Sequence, residues 1–421
     1  MFATLKQIFN PRNKDLRKRI LFTFVALFIF KIGTAIVVPG IDKDMIVGDL
    51  GFLELVNAMG GGAMTQFSIF SLGVMPYISA SIITQILQMD FFPYFSDLAK
   101  EGQAGRNKIN KLTRILGIIL AFIQGYMFSF SVLNSNDPLV YLEISLILTA
   151  GTAFLVWLGD QITQKGIGNG LSLIIMAGII ATLPTMFVDA WNGLVSFEGS
   201  TQTIAFGIAK FAGFVLLYLA IIIAIIYEQT AERRIPIQYT NKTTSMYGKQ
   251  QSYLPFKLNS AGVIPVIFAS ALLSIPSVIA QFIKNDTFTV FVSEWLSMTS
   301  LTGFILYVIL IVLFAYFYTF IQIKPQEMAE NLNRSGGFIP GIRPGEETVN
   351  YVKTTLKRIT LVGSLALAVI AGLPILFGMV SSLPTSVSIG GTGILIVIGV
   401  ALETYKQLES QLLSRSYRGR R

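Results

Sequence analysis

Apolar residues run along this chain in long blocks rather than in stripes. Ten blocks stand out, near 20–38, 72–90, 112–133, 139–158, 171–188, 204–227, 261–283, 301–323, 359–380 and 389–404. About 20 apolar residues are what an α-helix needs to cross the hydrocarbon core of a bilayer. The pattern therefore predicts an all-α polytopic membrane protein with ten transmembrane helices. Two blocks are irregular: the last is short for a crossing, and Pro76 interrupts the second. Ten spans divide into five and five around 189–203, giving halves of 1–203 and 204–421. An odd number per half starts the second half on the opposite side, the arrangement of inverted repeats. No residue-level similarity between the halves is evident, so this expectation rests on counting.

Charge sets the orientation. With the amino terminus placed inside, 28 of the 32 lysines and arginines fall on one side. Only Lys43 and Lys284 fall on the other, while Lys31 and Lys210 lie in or at spans. Basic residues are retained on the cytoplasmic side of bacterial membranes, so both termini are expected to be cytoplasmic. The six basic residues before the first span, with no small-residue cleavage site after it, mark that span as a retained anchor rather than a cleaved signal. Topology and attraction to anionic headgroups account for the basic tails. They account less well for two long loops, 228–260 and 324–358, which are larger than a connection needs.

Composition narrows the chemistry. Charged residues are 13% of the chain and hydrophobic ones 53%, about half the charge of a soluble domain. There is no cysteine and no histidine. Disulfides, thiolate zinc sites and Ser-His or Cys-His nucleophile pairs are thereby excluded. No phosphate loop of the GxxxxGK[ST] type occurs, so energy must come from a partner. No catalytic residue, metal site or cofactor is expected.

The spans also lack paired ionisable groups at mid-depth, the usual mark of ion coupling. Lys31 is placed to snorkel outward, Lys210 lies near the outer end of span six, and Glu143 lies near the outer start of span four. Between spans one and two, residues 51–71 read GFLELVNAMGGGAMTQFSIFS. That stretch is too polar and glycine-broken to span, yet too apolar for an ordinary loop. Either it rests on the outer headgroups, or it re-enters the membrane where protein or a water cavity surrounds it. The GIGNG run at Gly166–Gly170 lacks the preceding strand of a nucleotide fingerprint and reads as a tight turn into span five.

Seven stretches together resemble the SecY family, the channel subunit of the Sec protein-translocation machinery. They are KIGTAIVVPGID (Lys31–Asp42), LGVMPYISASIITQIL (Leu72–Leu87), WLGDQITQKGIGNGLSLIIMAGI (Trp157–Ile179), ERRIPIQY (Glu232–Tyr239), LNSAGVIPVIFASAL (Leu258–Leu272), GFIPGIRPGEETVNYV (Gly337–Val352) and GGTGILIVIGV (Gly390–Val400). They run from end to end in the family's order, and the short loops with GIRPGE are similar to bacterial members. The resemblance implies two inverted five-helix halves closing like a clamshell around a central pore in the cytoplasmic membrane.

It also implies residue roles. The family's ring of apolar side chains at the constriction falls on Ile78, Ile82, Ile175, Ile179, Ile267 and Ile396. Stiff β-branched side chains suit a gasket that grips any sequence without bonding to it, and an apolar constriction resists wetting. Isoleucines are common throughout the spans, so periodicity alone would leave these as lipid- or core-facing residues. The family's plug falls on residues 58–71, with Ala58, Gly60, Gly61, Gly62, Ala63, Met64 and Thr65 at its centre. A lateral gate of spans two and three against seven and eight would carry Thr84, Gln85, Gln124, Ser270 and Ser274. These polar groups either form a weak seam between helices or bond to their own helix backbones.

In the enlarged loops, Arg233, Arg234 and Arg343 would dock a SecA-like ATPase motor or the ribosome, since the guanidinium fork suits carboxylate and phosphate alike. SecE-like and SecG-like small membrane subunits are implied, along with signal sequences and nascent polypeptides as passengers and the lipid bilayer as surroundings. The expected function is a protein-conducting channel that passes unfolded polypeptides across the membrane and releases apolar segments sideways. Two other classes were open to the composition. A secondary transporter would show midplane ionisable residues, and a membrane-embedded aspartyl protease would show an intramembrane aspartate pair; the spans carry neither.

Overall fold

A computed structural model of the chain describes residues 14–41, 54–88, 92–133, 137–195, 201–239, 252–283, 286–298, 300–381 and 385–418. Of the charges counted above, Lys6, Arg12, Lys43, Lys242, Lys249, Lys284, Arg420 and Arg421 lie outside these residues. So do residues 51–53 at the start of the glycine-broken stretch, and Asp42 at the end of the first motif.

Among the described residues, ten helices match the ten apolar blocks. They are α1 (Lys14–Thr34), α3 (Met75–Leu87), α5 (Gln103–Val132), α6 (Pro138–Lys165), α7 (Gly170–Leu194), α8 (Thr201–Thr230), α9 (Ile264–Ile283), α11 (Leu301–Gln322), α13 (Glu346–Ser381) and α14 (Thr385–Arg418). Between them lie the shorter helices α2 (Glu54–Met59), α4 (Pro93–Lys100), α10 (Asp286–Trp295) and α12 (Pro325–Arg334). Both irregular blocks are explained. Pro76 sits in the first turn of α3, where a missing N–H costs nothing, so it starts a 13-residue helix instead of interrupting a longer one. The short tenth block is the apolar part of a 34-residue helix that continues beyond the membrane.

Local chemistry starts several of these helices. The Asp137 carboxylate accepts from the Leu139 N–H at 3.0 Å ahead of Pro138. The Ser300 hydroxyl accepts from the Gly303 N–H at 3.1 Å. In GIGNG, Gly168 takes a left-handed φ of +83°, and Asn169 accepts from the Leu171 and Ser172 N–H groups at 3.2 and 3.4 Å. The run is a helix–turn–helix corner whose side-chain oxygen satisfies otherwise orphan donors.

The chain folds as two inverted five-helix halves. In the first, α5 packs against both α3 and α6, and α6 also packs on α7 and α1. In the second, α9 packs on α11, α11 on α13, and α13 on α14. The halves meet along two unequal seams. One is broad, with α7 against α8 and α14. The other is narrow, with α9 touching α3 and α5.

On one face the two long loops become a single platform. Strands β1 (Glu232–Tyr239) and β2 (Ser252–Lys257) form a hairpin, and β3 (Gly337–Phe338) from the second loop adds to β1 through Gln238 opposite Phe338 and Tyr239 opposite Gly337. The pattern in ERRIPIQY explains the strand, because alternate residues face one side: Ile235 and Ile237 are buried and their neighbours are not. Ile235, Phe256, Ile339, Val352, Leu356 and Ile359 build a small core beneath the platform.

Candidate functional site: an apolar constriction and the segment packed on it

The six isoleucines Ile78, Ile82, Ile175, Ile179, Ile267 and Ile396 fall in one hydrophobic cluster. They come from four helices, α3, α7, α9 and α14, that span both seams between the halves. Ile175, Ile179 and Ile396 are buried, whereas Ile78, Ile82 and Ile267 are half-buried. The pairs 78/82 and 175/179 are each four residues apart on a helix, so neighbouring turns present them to one axis. Glycine lets α14 come close to one of them: a Cβ on Gly393 of α14 would lie 2.8 Å from the Ile179 Cγ2.

The glycine-broken segment packs on this cluster. Helix α2 lies against α7 and α14, and Met59 and Ala63 join the isoleucines in the cluster. Met64, Phe67, Ser68 and Ser71 are buried too, while Thr65 and Gln66 are exposed. Burial at this level is that of a segment enclosed by protein, which decides against a loop resting on headgroups. Gly60 and Gly61 are buried, and Gly61 and Gly62 adopt left-handed φ values of +75° and +81°, a region that glycine enters without steric cost.

Most hydrogen bonds of the segment are internal. The Asn57 side chain accepts from Met64 N–H at 3.1 Å and from Thr65 N–H at 3.2 Å. Gly61 N–H donates to the Ala58 carbonyl at 3.0 Å, Thr65 donates to Gly62 O at 2.9 Å, and Ser71 donates to Ala63 O at 3.0 Å. A short bridge between Val37 and Ser68 holds its far end to the stretch after α1, and Phe67 there carries an uncommon positive φ of 47°. The segment is a compact fold held by its own hydrogen bonds rather than a slack loop.

Lys31 has a protein partner as well: its ammonium donates to the Gly61 carbonyl, 3.4 Å away. Lys210 lies 4.7 Å over the Phe206 ring.

Among the described residues, the polar residues expected at the narrow seam show no hydrogen bond across it. Thr84 and Thr113 share a hydrogen bond of 2.9 Å, which ties α3 to α5 within one half. Gln85 donates to the Ser81 hydroxyl at 3.0 Å, and its oxygen has no hydrogen bond among the described residues. Ser270 donates to Val266 O and Ser274 to Ala271 O, each at 2.8 Å within α9. Gln124 is half-buried on α5. Short hydroxyl side chains in an apolar helix bond most readily to the carbonyl one turn back.

Arg233 and Arg343 are exposed on the platform. Arg343 stands on a turn between Gly341 and Gly345, both at positive φ. Its N–H donates to a Glu347 carboxylate oxygen at 3.4 Å, and its carbonyl accepts from Thr348 at 2.9 Å. Arg234 is partly engaged: it donates to Glu232 at 2.7 Å and lies 4.7 Å over the Tyr253 ring. The bond to that carboxylate raises its pKa beyond the usual arginine value.

Several relationships escaped sequence reasoning. An ion pair of 2.6 Å between Arg114 and Asp160 joins α5 to α6. Gly178 meets the backbone of Met59 and Gly61. The alternation in ERRIPIQY was the one local signal that pointed to the sheet.

Ten spans in two inverted halves, with six isoleucines from both meeting in one apolar cluster, are the architecture of a membrane channel. Known proteins agree. The SecY family model matches residues 68–405. The protein translocase subunit SecY of Staphylococcus aureus is 47% identical over 431 aligned residues, covering 100% of this chain and 99% of the relative. The chain belongs to the SecY family.

Three solved structures share its fold. One, described as a protein-conducting channel, aligns with a TM-score of 0.68 at 18% identity, covering 95% of this chain and 93% of the other. A second, from a study of the SecY plug domain and the closed state of the channel, aligns at 0.66 and 17% with the same coverage. The third, Sec61 in a canine ribosome-channel complex from the endoplasmic reticulum, aligns at 0.65 and 17%, again over 95% and 93%.

Proposed function

We propose that this chain is the pore-forming subunit of a bacterial Sec translocon in the cytoplasmic membrane, with both termini cytoplasmic. Its halves, 1–203 and 204–421, part at the narrow seam and hinge at the broad one. The six isoleucines form the constriction, and residues 58–71 form the plug that closes it when no polypeptide is in transit. Thr84, Gln85, Gln124, Ser270 and Ser274 lie on the gate helices; the weak seam between α9 and α3/α5 opens sideways for signal sequences and apolar segments.

The observation that carries this reading is the meeting of six isoleucines from four helices in one cluster, with Met59 and Ala63 against it. An apolar ring with no hydrogen-bonding group passes any side chain and disfavours water and ions. The platform, with Arg233, Arg234 and Arg343, docks a SecA-like motor or a ribosome, which supplies the energy. The ribosome-bound channel among the structural relatives supports that role. SecE-like and SecG-like subunits complete the assembly.

The absence of cysteine makes the test direct. A secretory polypeptide carrying one cysteine is arrested in transit through membranes containing the chain. Cysteine replacing Ile82 or Ile396 should form a disulfide with it, whereas cysteine replacing the exposed Val362 of α13 should not. Equal cross-linking at all three, or none at the first two, would overturn the assignment of the ring.

A further inference from the structure

We propose that α10 is an interfacial anchor: its aromatic face lies in the glycerol and carbonyl layer of the bilayer, on the side opposite the platform. The proposal needs only that α9 and α11 cross the membrane, and it does not depend on the roles assigned to ring, plug or platform.

Position gives the first argument. Helix α10 occupies most of the connection from Ile283, the last residue of α9, to Leu301, the first of α11. Both flanking spans have their other ends at the platform, since β2 leads into α9 and α12 follows α11. A connection this short keeps α10 at the boundary of the bilayer. Its carboxyl end is tied to the next span by the Thr302 hydroxyl, which donates to the Trp295 carbonyl at 2.8 Å.

The second argument is the face it exposes. Val292 is 3% exposed and packs inward, whereas Phe291 is 50% exposed and Trp295 is 54%. Phe291 and Trp295 are four residues apart, so they share one side of the helix. Their rings stack at 6.4 Å between centroids with planes 18° apart, which makes one continuous apolar surface. Leu301 at the start of α11 is 70% exposed as well. An indole that is apolar over most of its surface and carries one N–H donor is suited to the depth where hydrocarbon gives way to ester carbonyls.

Charge identifies the kind of lipid contact. The α10 sequence, DTFTVFVSEW, contains two acidic residues and no basic one. Helices that bind by attraction to anionic headgroups carry lysine and arginine on the polar face. This one does not, so its partner is the uncharged part of the interface, and zwitterionic lipid suffices. Since α10 packs on α9, which forms one side of the narrow seam, the anchor fixes the depth of that pair on this side of the membrane.

Tryptophan fluorescence tests this. The chain has three tryptophans, Trp157, Trp191 and Trp295, so Trp157→Phe with Trp191→Phe leaves Trp295 as the only emitter. The full chain is reconstituted in phosphatidylcholine vesicles, with part of the lipid brominated at the 6,7 or the 11,12 acyl positions. Trp295 emission should fall at least twofold with the 6,7 lipid and less with the 11,12 lipid, and it should resist aqueous iodide relative to free indole. Replacing a quarter of the lipid by phosphatidylglycerol should leave the quenching unchanged. Should the double variant fold poorly, the difference in emission between the unaltered chain and Trp295→Phe reads the same residue. Emission insensitive to both brominated lipids would overturn the proposal: with iodide quenching it would place α10 in water, and without it would place α10 under another protein.

Discussion

Gly61 and Gly178 pack backbone to backbone: a Cβ on Gly61 would lie 3.3 Å from the Gly178 Cα. Gly178 is flanked on α7 by Ile175 and Ile179 of the apolar cluster, so the buried segment touches α7 where the helix has no side chain. A Cβ at 178 would run into the Met59 carbonyl and stand 3.0 Å from Gly61 N. Backbone atoms on both sides cannot yield as a side-chain tip does. Overpacking of this kind costs about 1–3 kcal/mol. Gly178→Val should therefore push the segment off the cluster, raising ion conductance in planar bilayers about tenfold or more at equal protein abundance. Wild-type conductance would show that the segment does not seal the path.

Lys31 holds the same segment from the other side, through the Gly61 carbonyl. A bond at 3.4 Å from an exposed lysine falls below the usual charged range, at about 1 kcal/mol. Lys31→Met should increase the frequency of spontaneous openings several-fold, and Lys31→Arg should leave it near normal. Equal behaviour of the two variants in single-channel recordings would rule out a holding role for the cation.

Ile396 is buried in the cluster beside side chains of the first half. Ile396→Asn puts a water-binding amide into the constriction and removes an isoleucine contact worth up to about 3 kcal/mol. Proteins with defective signal sequences should then be exported, and conductance should rise, because each 1.4 kcal/mol shifts a gate population about tenfold. If both signal stringency and conductance stay unchanged, Ile396 faces no pore.

Arg343 is exposed on a glycine-flanked turn and bears no structural ion pair among those seen in the described residues. Arg343→Glu should abolish ATP-driven export in membrane vesicles while chain abundance and thermal stability stay within experimental error of wild type. Export at the normal rate would remove Arg343 from the docking surface.

The number of helices, their class and the family were legible along the chain, for a physical reason. A bilayer demands uninterrupted apolar length and internally bonded backbone, and both leave their mark residue by residue. Even the α3 start at Pro76 follows a local rule, once the helix is allowed to be short. What the sequence could not decide was partnership. Nothing local distinguishes Ile267 or Ile396 from the many exposed isoleucines of the spans, since lipid and protein interior are equally apolar; only the crossing of α3, α7, α9 and α14 brings the six together. Ser270 and Ser274 looked available for a seam and instead bond within α9, because a carbonyl one turn away is always within reach. Lys31 and Gly61 are 30 residues apart, and loops 228–260 and 324–358 share a sheet only because the helices between them return their ends to one face. Length and hydropathy thus determined which segments enter the membrane, and tertiary packing alone decided which of their side chains face one another.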